Sequence, residues 1–215
     1  MLERRPLIGR FAGKVAIVSG GASGIGRATC SEFCREGGSI AFTDIQEAAG
    51  QEFERELNSA KPQALFLHGD MSDGAFVDQI VARTLARYER IDYLVNNAFS
   101  FIAKGEDASL DDWSRTFAVG PIAYARLGSH AAAAMRSTGG GAIVNVSSIS
   151  AFIAQPGRWT YNSAKGAVHT LTRCMALDFA RSGIRVNSVS PGWIWTQEVL
   201  KAAKGDRAKW GLVWG

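Results

Sequence analysis

The sequence has little cysteine and little histidine, and no apolar run long enough to span a bilayer. Its three cysteines, Cys30, Cys34 and Cys174, are odd in number and form no C-x-x-C pair, which argues against a disulfide framework and fits thiols kept reduced in a cytosol. Cys30 and Cys34 share a helical spacing that could hold a metal, but no partnering ligand stands near them, and packing in a helix core is the simpler reading. His68, His130 and His169 show no metal-ligand spacing, so neither a metal nor a catalytic role is assigned to them. Basic residues are scattered, with Arg4 and Arg5 the tight pair, and the formal charge is +4. That excludes a nucleic-acid stripe and leaves a mild attraction for anionic ligands. The N-terminal MLERRPLIGRFAGK lacks the apolar centre of a signal peptide. A soluble, cytoplasmic protein without nucleic-acid or membrane partners is expected.

What is present is the composition of one globular domain: 215 residues, 47% hydrophobic and 20% charged, enough to bury a core of ordinary size. Short β-branched runs at 14–20, 39–44, 64–70, 92–98, 142–148 and 185–191 read as six strands, and the nearly continuous apolar character of several suggests burial on both faces. Helical patterns fall between them at 24–36, 46–59, 73–89, 110–136 and 159–182. Strict β-α alternation predicts an α/β fold with a doubly wound parallel sheet, a Rossmann fold. The expected organisation is an N-terminal arm (1–13), a nucleotide-binding catalytic domain (14–196) and a further segment (197–215). No internal repeat or linker divides the chain.

The first strand leaves through SGGASGIG, Ser19 to Gly26, directly into a helix. Glycines at 20, 24 and 26 let the backbone turn tightly and bring its amides near a ligand, while the helix offers its positive end to a pyrophosphate. The spacing is Gly-x-x-x-Gly-x-Gly, so it matches the commoner dinucleotide fingerprint in mechanism and not in letter. Asp44 ends the second strand eighteen residues beyond Gly26. A carboxylate there can bond both ribose hydroxyls of an adenosine and would repel a 2′-phosphate. No Arg or Lys stands at Ser23 or Ile45 to receive that phosphate, so NAD is expected as cofactor and NADP is disfavoured.

Tyr161 and Lys165, in YNSAK, stand four residues apart and share one face of a helix. Spacing alone leaves a surface pair and a chemical pair both open. The motifs together decide more. SGGASGIG, Asp70, NNA (Asn96 to Ala98), NVSS, YNSAK and SPGWIWT occur in this order between Lys14 and Thr196, and in them the chain resembles the classical short-chain dehydrogenases/reductases. The resemblance implies hydride transfer between a nicotinamide cofactor and a secondary alcohol or ketone. It implies catalytic roles for Ser148, Tyr161 and Lys165, with Ser148 thirteen residues before Tyr161 and Ser147 its inert neighbour. It implies cofactor contacts from Ser19, Gly20, Ser23, Gly24, Ile25 and Gly26, from Asp44, from Asp70 and Met71, and from Asn97 and Ala98. Tyr161 and Lys165 belong to the same set, as do Pro191, Gly192, Ile194 and Thr196. Asn96 is implied to line the cleft and steady the central strands, and Asp70 remains open between adenine contact and turn former. Physical chemistry supports the pair independently: a tyrosine ionises near pH ~10, and a nearby ammonium favours the phenolate and brings its proton within reach. Trp159, Trp193 and Trp195 wall an apolar substrate pocket or pack internally, both readings standing.

The chain departs from the family pattern in four places. Ser19 replaces a threonine, Phe99 stands where NNA continues to glycine, Gly120 falls where a catalytic asparagine is expected, and the sequence ends in KWGLVWG after six strands. A glycine at 120 is expected to leave a vacancy that holds a water. The expected partners are a small alcohol or ketone and a second copy of the chain, paired through the helices at 110–136 and 159–182, with a tetramer if the full chain is longer. A catalytically weak dinucleotide-binding module, regulatory or scaffolding, is the alternative.

Overall fold

The computed structural model describes residues 9–196 and 199–200. Most of the expected arm (1–13) and of the 197–215 segment lies outside them. Six strands form one parallel sheet: β1 (Val15–Ser19), β2 (Ser39–Asp44), β3 (Ala64–His68), β4 (Tyr93–Asn96), β5 (Gly141–Val146) and β6 (Ile184–Val189), in the order β3-β2-β1-β4-β5-β6. The chain winds outward from β1 to β3, then returns to the other side of β1 for β4. This reversal opens a crevice beyond the carboxyl ends of β1 and β4, where an open α/β sheet binds its ligand. The doubly wound sheet read from the alternation of strands and helices is therefore the fold observed.

Successive strand residues alternate between two cores. Ile17, Leu94 and Ile143 face α3 (Gly74–Tyr88), α5 (Ala123–Ser137) and α6 (Trp159–Phe179), meeting Ile80, Leu127 and Met175. Val18, Ile40 and Phe42 face α1 (Gly24–Arg35) and α2 (Glu47–Leu57), meeting Phe33 and Phe53. Each such side chain contributes about 1.5–3 kcal/mol on burial. Cys30 and Cys34 belong to the second core, where burial raises both thiols, Cys34 to about 11. No helix among the described residues is long and apolar enough to cross a membrane.

Polar side chains also tie the sheet. Asn96 and Asn145 are register partners on β4 and β5. Asn96 Nδ2 donates to Asn145 Oδ1 (2.8 Å), Asn145 Nδ2 donates to Thr172 Oγ1 on α6 (3.0 Å), and Thr172 Oγ1 donates to the Val168 carbonyl (2.8 Å).

The single helix expected over 110–136 is interrupted. Leu110–Phe117 forms α4, begun by a capping box in which Ser109 and Asp112 bond each other's backbone amides. A π-helical turn, Ala118–Ile122, then joins it to α5. Pro121 has no N–H to give, and Gly120, at φ −89° and ψ −110°, leaves helical geometry altogether, so the regular ladder cannot run through.

Candidate active site

The crevice is a cavity of about 450 Å³ at the carboxyl ends of the strands. At its floor, Gly20 adopts φ +68°, and a Cβ there would stand 2.9 Å from Ala98 Cα. The turn continues into α1, whose N-cap Ser23 is extended, makes no side-chain capping bond and is followed by no acidic residue in the first turn. The positive end of α1 is thus uncompensated, and Ser23, Gly24 and Ile25 present it to the cavity. Two residues expected to touch a cofactor lie behind this surface. Ser19 is fully buried and its Oγ accepts from the amides of Asn97 (3.0 Å) and Ala98 (3.1 Å). At Gly26 a Cβ would stand 1.9 Å from the Gly20 carbonyl oxygen, so the residue lets α1 approach the turn. Asn97 reaches the same turn, Nδ2 donating to the carbonyls of Ser19 (3.1 Å) and Gly20 (2.9 Å).

Asp44 ends β2 at the cavity wall, nearly buried. Its Oδ2 accepts from the Ala22 amide (3.0 Å) and its Oδ1 from the Gln46 amide (3.0 Å), which fixes the carboxylate against the glycine turn. Arg27, the nearest basic residue in sequence to that turn, is bonded to Glu56 and lies over the Phe53 ring, away from the cavity. Asp70 and Met71 line the next stretch. Burial pushes the Asp70 carboxyl up, but the Ser72 amide, Arg115 and the Ser72 hydroxyl together hold it below its ordinary value. Uncapped helix end, close-packed glycines and a carboxylate at the end of β2 form a donor and acceptor set that fits a dinucleotide.

The opposite wall carries Ser148, Tyr161 and Lys165. Ser148 follows β5 and caps a short 3₁₀ turn, its Oγ accepting from the Ser150 amide (3.1 Å). Ser147 instead donates to the Lys165 carbonyl (3.0 Å), tying β5 to α6. Tyr161 is 7% exposed, with Phe101 stacked on it (5.2 Å between centroids) and Phe99 edge-on (5.3 Å). Burial holds its phenol above the ordinary value, while the Ser148 hydroxyl and the Arg158 charge pull it back. Lys165 is anchored beside the phenol by a backbone carbonyl. Its Nζ donates to the Val146 carbonyl (2.8 Å) and sits 5.8 Å from the Tyr161 ring centroid. Burial brings its own value down to about 7.

Residues 14–206 match the sequence profile of the short chain dehydrogenase family. The chain belongs to that family. Cyclopentanol dehydrogenase of Comamonas sp. (strain NCIMB 9872) is 38% identical over 209 residues, spanning 95% of this chain and 83% of that protein. Cis-4-hydroxycyclohexanecarboxylate dehydrogenase of Sinomonas cyclohexanicum is 38% identical over 185 residues, 85% of this chain and 74% of that one. Among solved structures, 7α-hydroxysteroid dehydrogenase in complex with NADH and 7-oxo glycochenodeoxycholic acid superposes with a TM-score of 0.86 at 29% identity, covering 90% of this chain and 76% of that one. The resemblance drawn from the motifs therefore holds, and family members are oxidoreductases that bind a nicotinamide cofactor.

In this short-chain dehydrogenase, several cavity residues escaped the sequence reading. Arg115 on α4 forms an ion pair with Asp70 (2.7 Å) and also bonds Ser72; 45 residues separate Arg115 from Asp70 in the chain, and no local pattern links them. Phe101, Arg158 and Gln155 also line the cavity. The alternation of Phe99 and Phe101 in AFSFIAK is a period-two signal that could have placed both on one side of an extended segment. Of the three tryptophans, Trp193 lines the cavity, Trp195 lines a separate groove against the outer face of β1, β4 and β5, and Trp159, 55% exposed, lines neither. Pro191, Gly192, Ile194 and Thr196 close the cavity's upper side. His68, His130 and His169 lie elsewhere, near Glu47, Asp78 and Phe152 respectively. The vacancy expected at Gly120 is filled: a Cβ there would stand 2.5 Å from Cε2 of Phe99. The ring, and not a water, takes that space.

Proposed function

We propose that this chain is an NAD-dependent dehydrogenase that interconverts a cyclic secondary alcohol and its ketone. The observation that carries the reading is the convergence in one cavity of the Tyr161–Ser148 pair with the glycine turn and Asp44. NAD, when bound, supplies the hydride acceptor. Asp44 would hold the adenosine ribose through its hydroxyls, and the same carboxylate disfavours a 2′-phosphate. The open end of α1 would hold the pyrophosphate. Tyr161, ionised to the phenolate that the nearby Lys165 ammonium favours, takes the hydroxyl proton of the alcohol as the C–H bond is broken, and as the phenol returns it in ketone reduction. Ser148 donates a hydrogen bond to the same oxygen and steadies its developing charge. The ring-shaped substrate is supported by the aromatic lining, Phe101 and Trp193, and by the alicyclic alcohols in the names of two relatives.

A panel of cyclopentanols, cyclohexanols and sterols, followed with NAD by absorbance of the reduced cofactor, tests this directly. Tyr161→Phe should lose about 10²–10⁴-fold in turnover while calorimetry shows NAD bound as before. Substantial activity in that variant would end the proposal. A cofactor-binding module with little turnover is favoured by one observation, the phenol held above its ordinary value by burial; tight NAD binding with no turnover across the panel would select it.

A further inference from the structure

Phe99 and Gly120 stand 21 residues apart in the chain and are joined in the fold by one contact, the ring of the first filling the space where the second lacks a Cβ. The same ring has two other neighbours. Lys165 Nζ lies 3.7 Å from its centroid, and Tyr161 meets it at an interplanar angle of 81°. Lys165 is 3% exposed, and among the described residues no carboxylate lies within ion-pair distance of it.

We propose that Phe99 is a positioning residue for Lys165: seated in the notch left by Gly120, its ring face holds the buried ammonium at the inner wall of the site. A buried cation without a partner is costly. A carboxylate would relieve that cost but would also cancel the positive field at Tyr161. An aromatic face attracts the ammonium through its quadrupole and adds no net charge, so the cation is retained and its field survives. The Val146 carbonyl takes one of the three N–H donors, and the ring receives the ammonium from another direction. Burial has already brought Lys165 to about 7, so near neutrality its charge state is balanced and the ring contact tips it toward the charged form. The titratable neighbours are phenols: Tyr161 one turn earlier on α6, and Tyr124 of α5, which feels the charge of Tyr161 and is itself held neutral chiefly by burial. Arg158, at the N-cap of α6, acts on Tyr161. From β5 and the loop after it come the hydroxyls of Ser147 and Ser148, and from the segment after β6 come Pro191 and Gly192. Gly120 then serves packing as well as backbone geometry, since a Cβ there would stand 2.5 Å from Phe99 Cε2 and press the ring from its place.

This inference builds on the role given to Tyr161 and Lys165 above, and its test reads the lysine without cofactor or turnover, so the two fail separately. The full chain is prepared with ¹³C-labelled lysine, the Lys165 signal is assigned from its loss in Lys165→Arg, and its methylene resonances are followed by NMR against pH. In the parent protein the Hε protons should be shifted upfield by the ring. Phe99→Leu should abolish that shift and lower the titration midpoint by about one pH unit, because the contact it removes favours the charged form. Phe99→Tyr should restore both. Gly120→Ala should reproduce the Phe99→Leu result through displacement of the ring, and should add nothing in a Phe99→Ala background where no ring remains. Gly120→Ala also provides an independent reading if Phe99→Leu does not fold. A midpoint within about 0.2 unit of the parent in either single variant would overturn the proposal, as would a Gly120→Ala effect that persists in the Phe99→Ala background.

Discussion

Gly26→Ala is the smallest change that tests how the cofactor floor is built. The added methyl would stand 1.9 Å from the Gly20 oxygen and 2.7 Å from Asn97 Nδ2, where carbon contacts settle at about 3.5–4.0 Å. A backbone carbonyl and the start of a helix must part by more than an ångström, and no flexible side chain is available to absorb the shift. Overpacking of this kind costs about 1–3 kcal/mol. Moving the Gly20 peptide also strains the two bonds from Asn97, each contributing about 1 kcal/mol. The expected loss is therefore about 3–5 kcal/mol, a large share of the ~5–15 kcal/mol that holds a domain together. Because the displaced element is the end of α1 itself, NAD affinity should fall at least about tenfold, a further ~1.4 kcal/mol. Urea unfolding followed by circular dichroism reads the first quantity and calorimetry the second. Gly166→Ala is the control: it lies in α6 with nothing within 4 Å of the methyl it would add, and helix propensity predicts a gain of up to about 1 kcal/mol. If Gly26→Ala unfolds at the same urea concentration as the parent and binds NAD equally well, the close approach of α1 to the turn is not what shapes this site.

Two further predictions concern charge. Asp44→Ser should weaken NAD by about tenfold or more, as expected for loss of charged hydrogen bonds of about 1.5–3 kcal/mol, and should narrow the gap to NADP; equal affinity for both cofactors in the unmutated protein would refute the role of Asp44. Asp92 accepts from the Val15 amide (2.9 Å), Arg90 (2.6 and 2.8 Å) and Lys14 (3.1 Å). Burial raises its carboxyl, but Arg90, Val15 and Lys14 together bring it below the ordinary value. The folded state then binds the proton less readily than the unfolded one, so the stabilisation is complete above about pH 4 and is lost as pH falls through the lower folded value. Asp92→Asn should flatten that acid limb, and a mutant with the parent's pH dependence of urea midpoints would show that the cluster contributes nothing.

Sequence carried the strands and the glycine turn because their signals are local. Runs such as VAIVS announce burial on both faces, and Gly24 and Gly26 sit where the helix begins. The break at Gly120–Pro121 was equally local, since proline cannot continue the hydrogen-bond ladder, yet the apolar periodicity on either side masked it. Ser19 shows another limit: it lies in the right motif, but strand pleating turns its hydroxyl toward the Asn97 and Ala98 amides and away from the cavity. Contacts between distant segments left no trace. Phe99 and Gly120 each registered as a departure from the family pattern, and only folding shows that one fits the other. The i, i+4 spacing of Tyr161 and Lys165 fixes a common helix face but is silent on burial, which sets the behaviour of both.

The paired amides of Asn96 and Asn145 act as an index mark between two halves of the working surface. β4 leads into Asn97, Ala98 and Phe99, and β5 leads into Ser147 and Ser148. A slip of one residue between these strands would turn every side chain to the opposite face and leave two interior amides without partners, at about 1–3 kcal/mol each. The offset between the segments that carry Phe99 and Ser148 is thus set inside the sheet, upstream of the loops.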